Sequence, residues 1–357
     1  MRAATFLDGK FAIENVPSPS PGSGQVLVRP LVCGICGSDL HTRHHAHHLA
    51  DMLDRAGFRG FMNPSEPVVL GHEFCCEIVD YGADCKREIP VGQRVVGLPF
   101  IAGPQGVELI GYSNHFNGAF AEEMLLQEDA LFAVPDNVST DVAALAEPLS
   151  VAVRAVANAA PTRDSAFAIY GCGPVGLFVI ARLRHLGFGP ILAIDPDPQR
   201  RSFAERLGAE TVIAPAADEI ARWWEGNGAP LGISDATAAR GTGIIGKRPV
   251  IFECVGKPGI LKSIAEQAPV GALVVVVGVC MEIDQVEPGL MVQKELQLRF
   301  TFAYDQNEFA EATQMIAKNP DWLAPLVTGH VTLDNVEDAF DMLERGGAQA
   351  KVLIRPS

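Results

Sequence analysis

Ala166-Phe-Ala-Ile-Tyr170-Gly171-Cys172-Gly173-Pro174-Val175-Gly176 is the stretch on which the fold turns. A wholly apolar run ending in glycine marks a strand buried on both faces of a parallel sheet. The three glycines then permit, in order, the tight turn out of the strand, close approach of backbone to a pyrophosphate, and packing of the next helix on the strand. That helix offers free N–H groups and the positive end of its dipole to the phosphates. Asp195 ends the next apolar run, Ile191–Ile194, 19 residues beyond Gly176. A carboxylate there accepts hydrogen bonds from the adenosine ribose hydroxyls and repels the extra phosphate of NADP. Arg200 and Arg201 partly offset that repulsion, so NAD is the expected dinucleotide and an NADPH-preferring carbonyl reductase the alternative. The plainer reading of the loop is a glycine turn with no nucleotide. Strand, glycines and acid occurring together weigh against it.

Outward from this stretch, the C-terminal side alternates. A helical segment runs through His185, and Gln199–Leu207 reads as a further helix. Strands are expected at Ile191–Ile194, Thr211–Ile213, Val250–Glu253 and Leu273–Val277. Alternating strands and helices mean a doubly wound parallel sheet. On the N-terminal side, Leu149–Ala160 is a small-residue helical stretch following Glu147-Pro148. Before it come short strands at Gln25–Pro30, Val68–Leu70, Glu77–Asp80 and Arg94–Leu98, punctuated by Pro17, Pro19, Pro21, Gly22 and Gly24. From about Phe300 the pattern returns to mixed, with helices at Glu308–Ala317 and Asn335–Glu344 and a closing strand at Lys351–Ile354. The expected fold class is α/β, with a nucleotide domain over 151–299 inserted into a β-rich domain formed by 1–150 and 300–357.

Composition agrees with two domains and limits the partners. The chain has 357 residues, 48% of them hydrophobic and 20% charged, which supplies ample core and excludes a disordered chain or a small disulfide scaffold. Its formal charge of −15 argues against a nucleic-acid or anionic-membrane footprint, which needs clustered Lys and Arg. The longest apolar run noted, near Gly271–Met281, is short of the ~20 residues that span a bilayer. Met1–Gly22 carries no basic stretch followed by an apolar one, so no secretory signal is expected and the expected compartment is the cytoplasm. The eight cysteines then read as thiols, some of them metal ligands.

Cys33-Gly-Ile-Cys36-Gly-Ser38-Asp39-Leu-His41 is the densest chemical constellation in the chain. Thiolate and imidazole are preferred zinc ligands, and Gly71-His72-Glu73 and Glu147 supply further candidates from distant segments. Three protein ligands with one position left open is the catalytic pattern of zinc, whereas structural sites close with four. Cys33 and Cys36 form one CxxC with no second pair at ribbon spacing, so a closed zinc ribbon is not expected.

Taken in order, Cys36-Gly-Ser-Asp-Leu-His41, Gly71-His72-Glu73, Glu147-Pro-Leu-Ser, Gly171-Cys-Gly-Pro-Val-Gly176, Gly329-His-Val-Thr-Leu and Lys351-Val-Leu-Ile resemble the zinc-containing medium-chain alcohol dehydrogenases over essentially the whole chain. Glu147-Pro-Leu, where alcohol dehydrogenases proper have cysteine, resembles the polyol and threonine dehydrogenase branch. The resemblance implies a GroES-like β-rich catalytic domain beside a Rossmann domain. It implies Cys36 and His72 as zinc ligands, Glu73 as the third, and Glu147 close by as a ligand or as a holder of the metal's water. Asp39 would orient His72, Ser38 would supply the hydroxyl of a proton relay, and His41 would extend the relay. Gly171, Gly173, Pro174, Val175, Gly176, Asp195, Arg200, Val255, Gly278 and Val279 would contact NAD.

The implied reaction moves a hydride between a secondary alcohol, diol or polyol, or the matching ketone, and NAD in a homodimer or homotetramer. A non-catalytic NAD-binding relative is the alternative that fold alone leaves open.

Two departures stand out. Many members hold a structural zinc with four cysteines in a lobe, but Gly97–Phe120 has none, which implies one catalytic zinc per chain and no structural zinc. Cys36 and His72 are 36 residues apart, longer than in typical members, and the added segment is His44–Pro64. Phe58, Phe61, Phe116 and Phe300 suggest a bulky or hydrophobic ligand.

Other notable residues have plain readings. Cys33, Cys75, Cys76 and Cys172 are expected as buried spacers. The cluster His44, His45, His47 and His48 is expected on a solvated or pocket-lining helix. Trp223-Trp224 is expected as a surface or domain-packing pair in a loop-rich stretch, and Lys247-Arg248 as a solvated loop.

Overall fold

The computed structural model describes residues 1–356 apart from 105, 243–245 and 348. The chain folds as two compact units, Met1–Glu147 with Asp305–Ser357, and Pro148–Tyr304.

The second unit is built on a six-stranded sheet. Its order is Thr211–Ile213, Ile191–Ile194, Ser165–Tyr170, Arg248–Glu253, Leu273–Val276 and Gln297–Phe300. Every pairing is parallel. Ser165–Tyr170 is central in the sheet and buried along its whole length. The chain builds outward from it in both directions, so the order reverses at its C-terminal end, where nucleotides bind in such sheets. Gly171 turns there at φ +94°, and a Cβ on Gly176 would stand 1.9 Å from the Gly171 carbonyl oxygen. Only glycine fits at either position. Helix Pro174–His185 then starts at Gly173 with proline in its first turn, which loses no helical hydrogen bond.

Two sequence readings are corrected in this unit. The tryptophan pair lies in a helix, Ala217–Gly226, and Trp224 is fully buried in the sheet's core. Ile220 and Trp224, four residues apart, share the inward face, a short periodicity that the surrounding polar residues masked. Arg248 opens a strand, not a loop, and its guanidinium donates to the Ala159 and Ala160 carbonyls at 3.2 and 2.9 Å. It caps the end of helix Ala146–Ala159, where a cation is favoured. The segment Thr140–Ala159 is more apolar than the sequence reading allowed, being long enough and apolar enough to cross a membrane. Its most apolar window is 72% buried inside the protein, as in a core helix.

The first unit centres on the order Leu131–Ala133, Arg94–Gly97, Glu73–Tyr81, Gln25–Gly34, Lys351–Arg355 and Val327–Thr332, with Met124–Gln127 also pairing on Gln25–Gly34. The C-terminal strand Lys351–Arg355 therefore lies inside the sheet, antiparallel to Gln25–Gly34. Cys33, Cys75 and Cys76 fill its core, and burial pushes the Cys75 thiol up to about 12.

The added segment is mostly helix. Gly37–Arg55 forms one helix with a kink at His45, so the histidine cluster is helical. His44 contacts Glu344 at 2.7 Å, and Arg43 pairs with Glu337 and Asp341, all on helix Val336–Glu344 or its start. Beyond the helix the chain becomes a strap on the cysteine-free lobe. The lobe forms a hairpin, Phe100–Gly103 with Gly106–Leu109. Leu109 N donates to Gly60 O at 3.3 Å, Asn63 N to Asn114 Oδ1 at 2.7 Å, and Asn114 Nδ2 to Pro67 O at 3.1 Å. Within the lobe, buried Glu108 accepts from Ser113 Oγ at 2.5 Å and contacts His115 Nδ1 at 3.0 Å. Phe61 and Phe116 are half-buried and pack against this unit's core.

Candidate active site

Two antiparallel strands and a helix start make the first-unit site. Gly34 at the end of Gln25–Gly34 pairs with Glu73 at the start of Glu73–Tyr81. Two residues beyond Gly34, Cys36 caps helix Gly37–Arg55, and Asp39 in the first turn accepts its N–H through Oδ2 at 2.9 Å. This places Cys36, His72 and Glu73 so that one ligand atom of each lies within 4.8 Å of the others. An ion at thiolate and imidazole bonding distances of about 2.0–2.3 Å fits among such atoms.

The charges also suit a cation. Burial and the Glu73 carboxylate push the Cys36 thiol up, against the pull of His72. Burial draws the His72 imidazole down, but Asp39 and Cys36 outweigh it and hold it well above its ordinary value. His72 Nδ1 is buried without a hydrogen-bond partner and lies 3.5 Å from Asp39 Oδ1, while Nε2 faces Ser38 Oγ at 3.4 Å. Asp39 is thus beside the ring nitrogen that points away from Ser38. His41 is half-buried in the same helix.

Glu73 is already engaged. Its carboxylate holds the Lys351 ammonium through both oxygens, at 2.5 Å for Oε1, with both side chains almost wholly buried. Burial alone would lower the lysine; the pairing with Glu73 raises it above its ordinary value. Lys351 also donates to Ile35 O at 3.2 Å. Glu147 is buried at the unit's boundary, and its charge acts on both His72 and Lys351, but it stands outside the three-ligand grouping. Lys351 was missed as a partner in the sequence, although a lysine opening an apolar strand signals a buried counter-charge. Tyr112 was missed as well; its Oη lies 2.9 Å from Ser38 Oγ and 2.8 Å from Asp39 Oδ1.

In the second unit the glycine corner is a cradle. A Cβ on Gly173 would meet nothing within 4 Å, so the middle glycine faces open space of the kind a pyrophosphate fills. Pro174 and Val175 open the helix behind it. Asp195 is buried at the end of its strand, where Oδ2 accepts from Cys172 N at 2.7 Å and Oδ1 from Asp197 N at 2.8 Å. It ties the glycine loop to its neighbour strand, and each oxygen keeps a second lone pair for a ribose hydroxyl. Arg200 sits in the first turn of the helix after it. Arg201 Nη1 is engaged by the Asp195 and Pro196 carbonyls at 2.7 and 2.9 Å. Burial lifts the Cys172 thiol to about 12, which keeps it a neutral spacer. A cleft of about 250 Å³ lies beyond the next strands, lined by Glu253, Gly256, Val277, Gly278, Val279 and Phe300. Glu253 Oε1 accepts from Val255 N and Gly256 N at 2.7 and 2.8 Å, which fixes Val255 at its edge.

The same two parts are found in known proteins. Residues 22–136 match the family described as alcohol dehydrogenase GroES-like domain, and 174–318 that described as zinc-binding dehydrogenase. The (R,R)-butanediol dehydrogenase of Bacillus subtilis (strain 168) is 30% identical over 367 residues, covering 100% of both chains. Sorbitol dehydrogenase of the same organism is 27% identical over 100% of this chain and 98% of its own. A solved Sinorhizobium meliloti 1021 zinc-binding dehydrogenase chain bound to NADP superposes with a TM-score of 0.79, at 26% identity and 99% coverage of both.

The chain belongs to the zinc-containing medium-chain alcohol and polyol dehydrogenase family. It is an oxidoreductase, with a GroES-like domain, a Rossmann domain, and zinc and a nicotinamide dinucleotide as cofactors. The donor set at Cys36, His72 and Glu73 and the open glycine cradle fit these two groups.

Proposed function

We propose that the protein oxidises a secondary alcohol, diol or polyol with NAD, or reduces the matching ketone. The observation that carries this reading is the Cys36–His72–Glu73 grouping, with His72 and Glu73 buried and the Ser38 hydroxyl 3.4 Å from His72 Nε2. Cys36, His72 and Glu73 hold the metal, with Glu147 as the nearby carboxylate. Zinc, when bound, would supply the positive charge that lowers the pKa of a hydroxyl beside it towards neutral. Ser38 Oγ would accept the proton that the hydroxyl loses as its own O–H proton is released, and His41 would pass that released proton onward to solvent. NAD, when bound, would supply the hydride acceptor for the carbinol carbon. The glycine corner holds the pyrophosphate, Asp195 and Arg200 the adenosine side, and the segments at Val255 and Gly278-Val279 the nicotinamide side.

The cysteine-free lobe supports one zinc per chain. The strand Gln297–Phe300 is an outer strand of its sheet, with Phe300, Phe302 and Val292 exposed around it. An apolar sheet edge of this kind supports a homodimer or homotetramer, read by light scattering as two or four times 38.1 kDa. The cytoplasm is the proposed compartment, with no nucleic-acid or membrane partner.

A panel of aliphatic, aromatic and polyol alcohols, read as reduced cofactor at 340 nm with NAD and NADP in parallel, tests the function. At least one secondary alcohol or diol is expected to turn over, with kcat/KM favouring NAD by about tenfold or more, ~1.4 kcal/mol. A zinc-loaded protein that oxidises nothing in the panel overturns the enzymatic reading, and a preference for NADP overturns the role given to Asp195.

A further inference from the structure

Tyr112 belongs to none of the motifs, yet its side chain is buried against the centre of the first-unit site. Its Oη is 2.9 Å from Ser38 Oγ and 2.8 Å from Asp39 Oδ1. Its ring lies 5.3 Å from the His72 ring and stacks on Phe61 at 5.3 Å and 22°. We propose that Tyr112 is a positioning residue that anchors the Ser38 hydroxyl in one rotamer, with its free lone pairs facing the metal-site side. This rests on the reading of Ser38 as the group that receives the substrate's hydroxyl proton.

Counting protons gives the direction of the bonds. Tyr112 has one phenolic proton and two close oxygens. Asp39, wholly buried and already accepting the Cys36 N–H, acts as an acceptor, and a bond to a carboxylate is stronger than one to a hydroxyl. The phenolic proton therefore goes to Asp39. In the resting site the Ser38–Tyr112 bond uses the serine proton, with the phenol oxygen accepting. Ser38 is left with acceptors only towards His72 Nε2, 3.4 Å away. Without the phenol oxygen, the serine is free to sample the other staggered rotamers and to turn its own O–H into the site.

The position of Tyr112 comes from the two features in which this chain departs from its family. Phe61, the ring beneath it, lies on the strap at the end of the added segment. The residues that follow Tyr112 are fixed by the lobe and the strap respectively: Ser113 by Glu108, and Asn114 by Asn63 and Pro67. Strap and lobe together hold the phenol where Ser38 and Asp39 meet it. A hydrogen-bonding group displaced by about 1 Å costs on the order of 10²-fold in rate, so an anchor on one rotamer is worth a measurable share.

Tyr112→Phe keeps the ring and removes the hydroxyl. Relative to the parent enzyme, kcat is expected to fall about tenfold with KM within about twofold, and zinc content unchanged. A crystal structure of the variant should show Ser38 in more than one rotamer. Combined with Ser38→Ala, the double variant should be no slower than Ser38→Ala alone, because one residue acts through the other. Should Tyr112→Phe melt early, Phe61→Leu leaves the phenol in place and loosens the ring beneath it, with a smaller fall in kcat expected. A slowed Ser38→Ala beside an unaltered Tyr112→Phe, or additive losses in the double variant, overturns the inference while sparing the role of Ser38. A Ser38→Ala enzyme at the parent rate overturns that role and the inference with it.

Discussion

Cys36→Ala is expected to release the zinc and to lower kcat/KM by about 10³-fold or more. The magnitude follows from what remains. His72 is a single neutral donor, and Glu73 is shared with the Lys351 ammonium, so the pocket keeps no unshared anionic ligand among the three. Even changes to residues that merely orient metal ligands cost 10–100-fold in metal affinity or activity, and loss of a thiolate ligand removes more. The fold should tolerate the change, because Cys36 starts its helix through backbone contacts with Asp39. Metal analysis beside steady-state rates separates the outcomes. A Cys36→Ala protein with full zinc and full turnover would show that this grouping is not the metal site.

The second large effect is on stability. Lys351→Met removes the ammonium and leaves the Glu73 carboxylate buried at 1% exposure without its counter-charge. Breaking a buried pair from one side costs about 3–5 kcal/mol, because the remaining charge is uncompensated. For a unit of roughly 200 residues this corresponds to a fall in Tm of about 6–20 °C, measured on metal-free protein. Lys351→Met with Glu73→Leu should recover most of the loss, since replacing both members with apolar residues is often neutral. A single variant that melts within about 1 °C of the parent would mean that Glu73 finds another counter-charge.

How much of this was legible follows the range over which each signal acts. Gly171, Gly173 and Gly176 declared the sharp corner between strand and helix, because the positive φ of Gly171 and the approach of Gly176 to the Gly171 carbonyl are set within six residues. Cys36, His72 and Glu73 were legible as ligand types, and the register of Gly34 against Glu73 brings them together. Lys351 was read as the start of a strand, but its partner Glu73 lies 278 residues away in sequence, and no local pattern carries that pairing. Tyr112 was silent for the same reason, being 74 residues from Ser38 in a lobe noted in the sequence for lacking cysteine. Trp224 shows the opposite failure: the helical spacing with Ile220 was present but hidden among polar neighbours. Asp195 stood where its spacing placed it, yet its bonds to the Cys172 and Asp197 amides give it a structural task that spacing alone does not reveal.

The most direct test of the account is a zinc titration of chelator-stripped protein, followed as NAD reduction with the best alcohol from the panel. Turnover should be abolished in the stripped protein and should rise in proportion to added zinc, levelling at one equivalent per chain. Full turnover without metal, or a plateau only at two equivalents, would contradict a single catalytic zinc held by Cys36, His72 and a carboxylate.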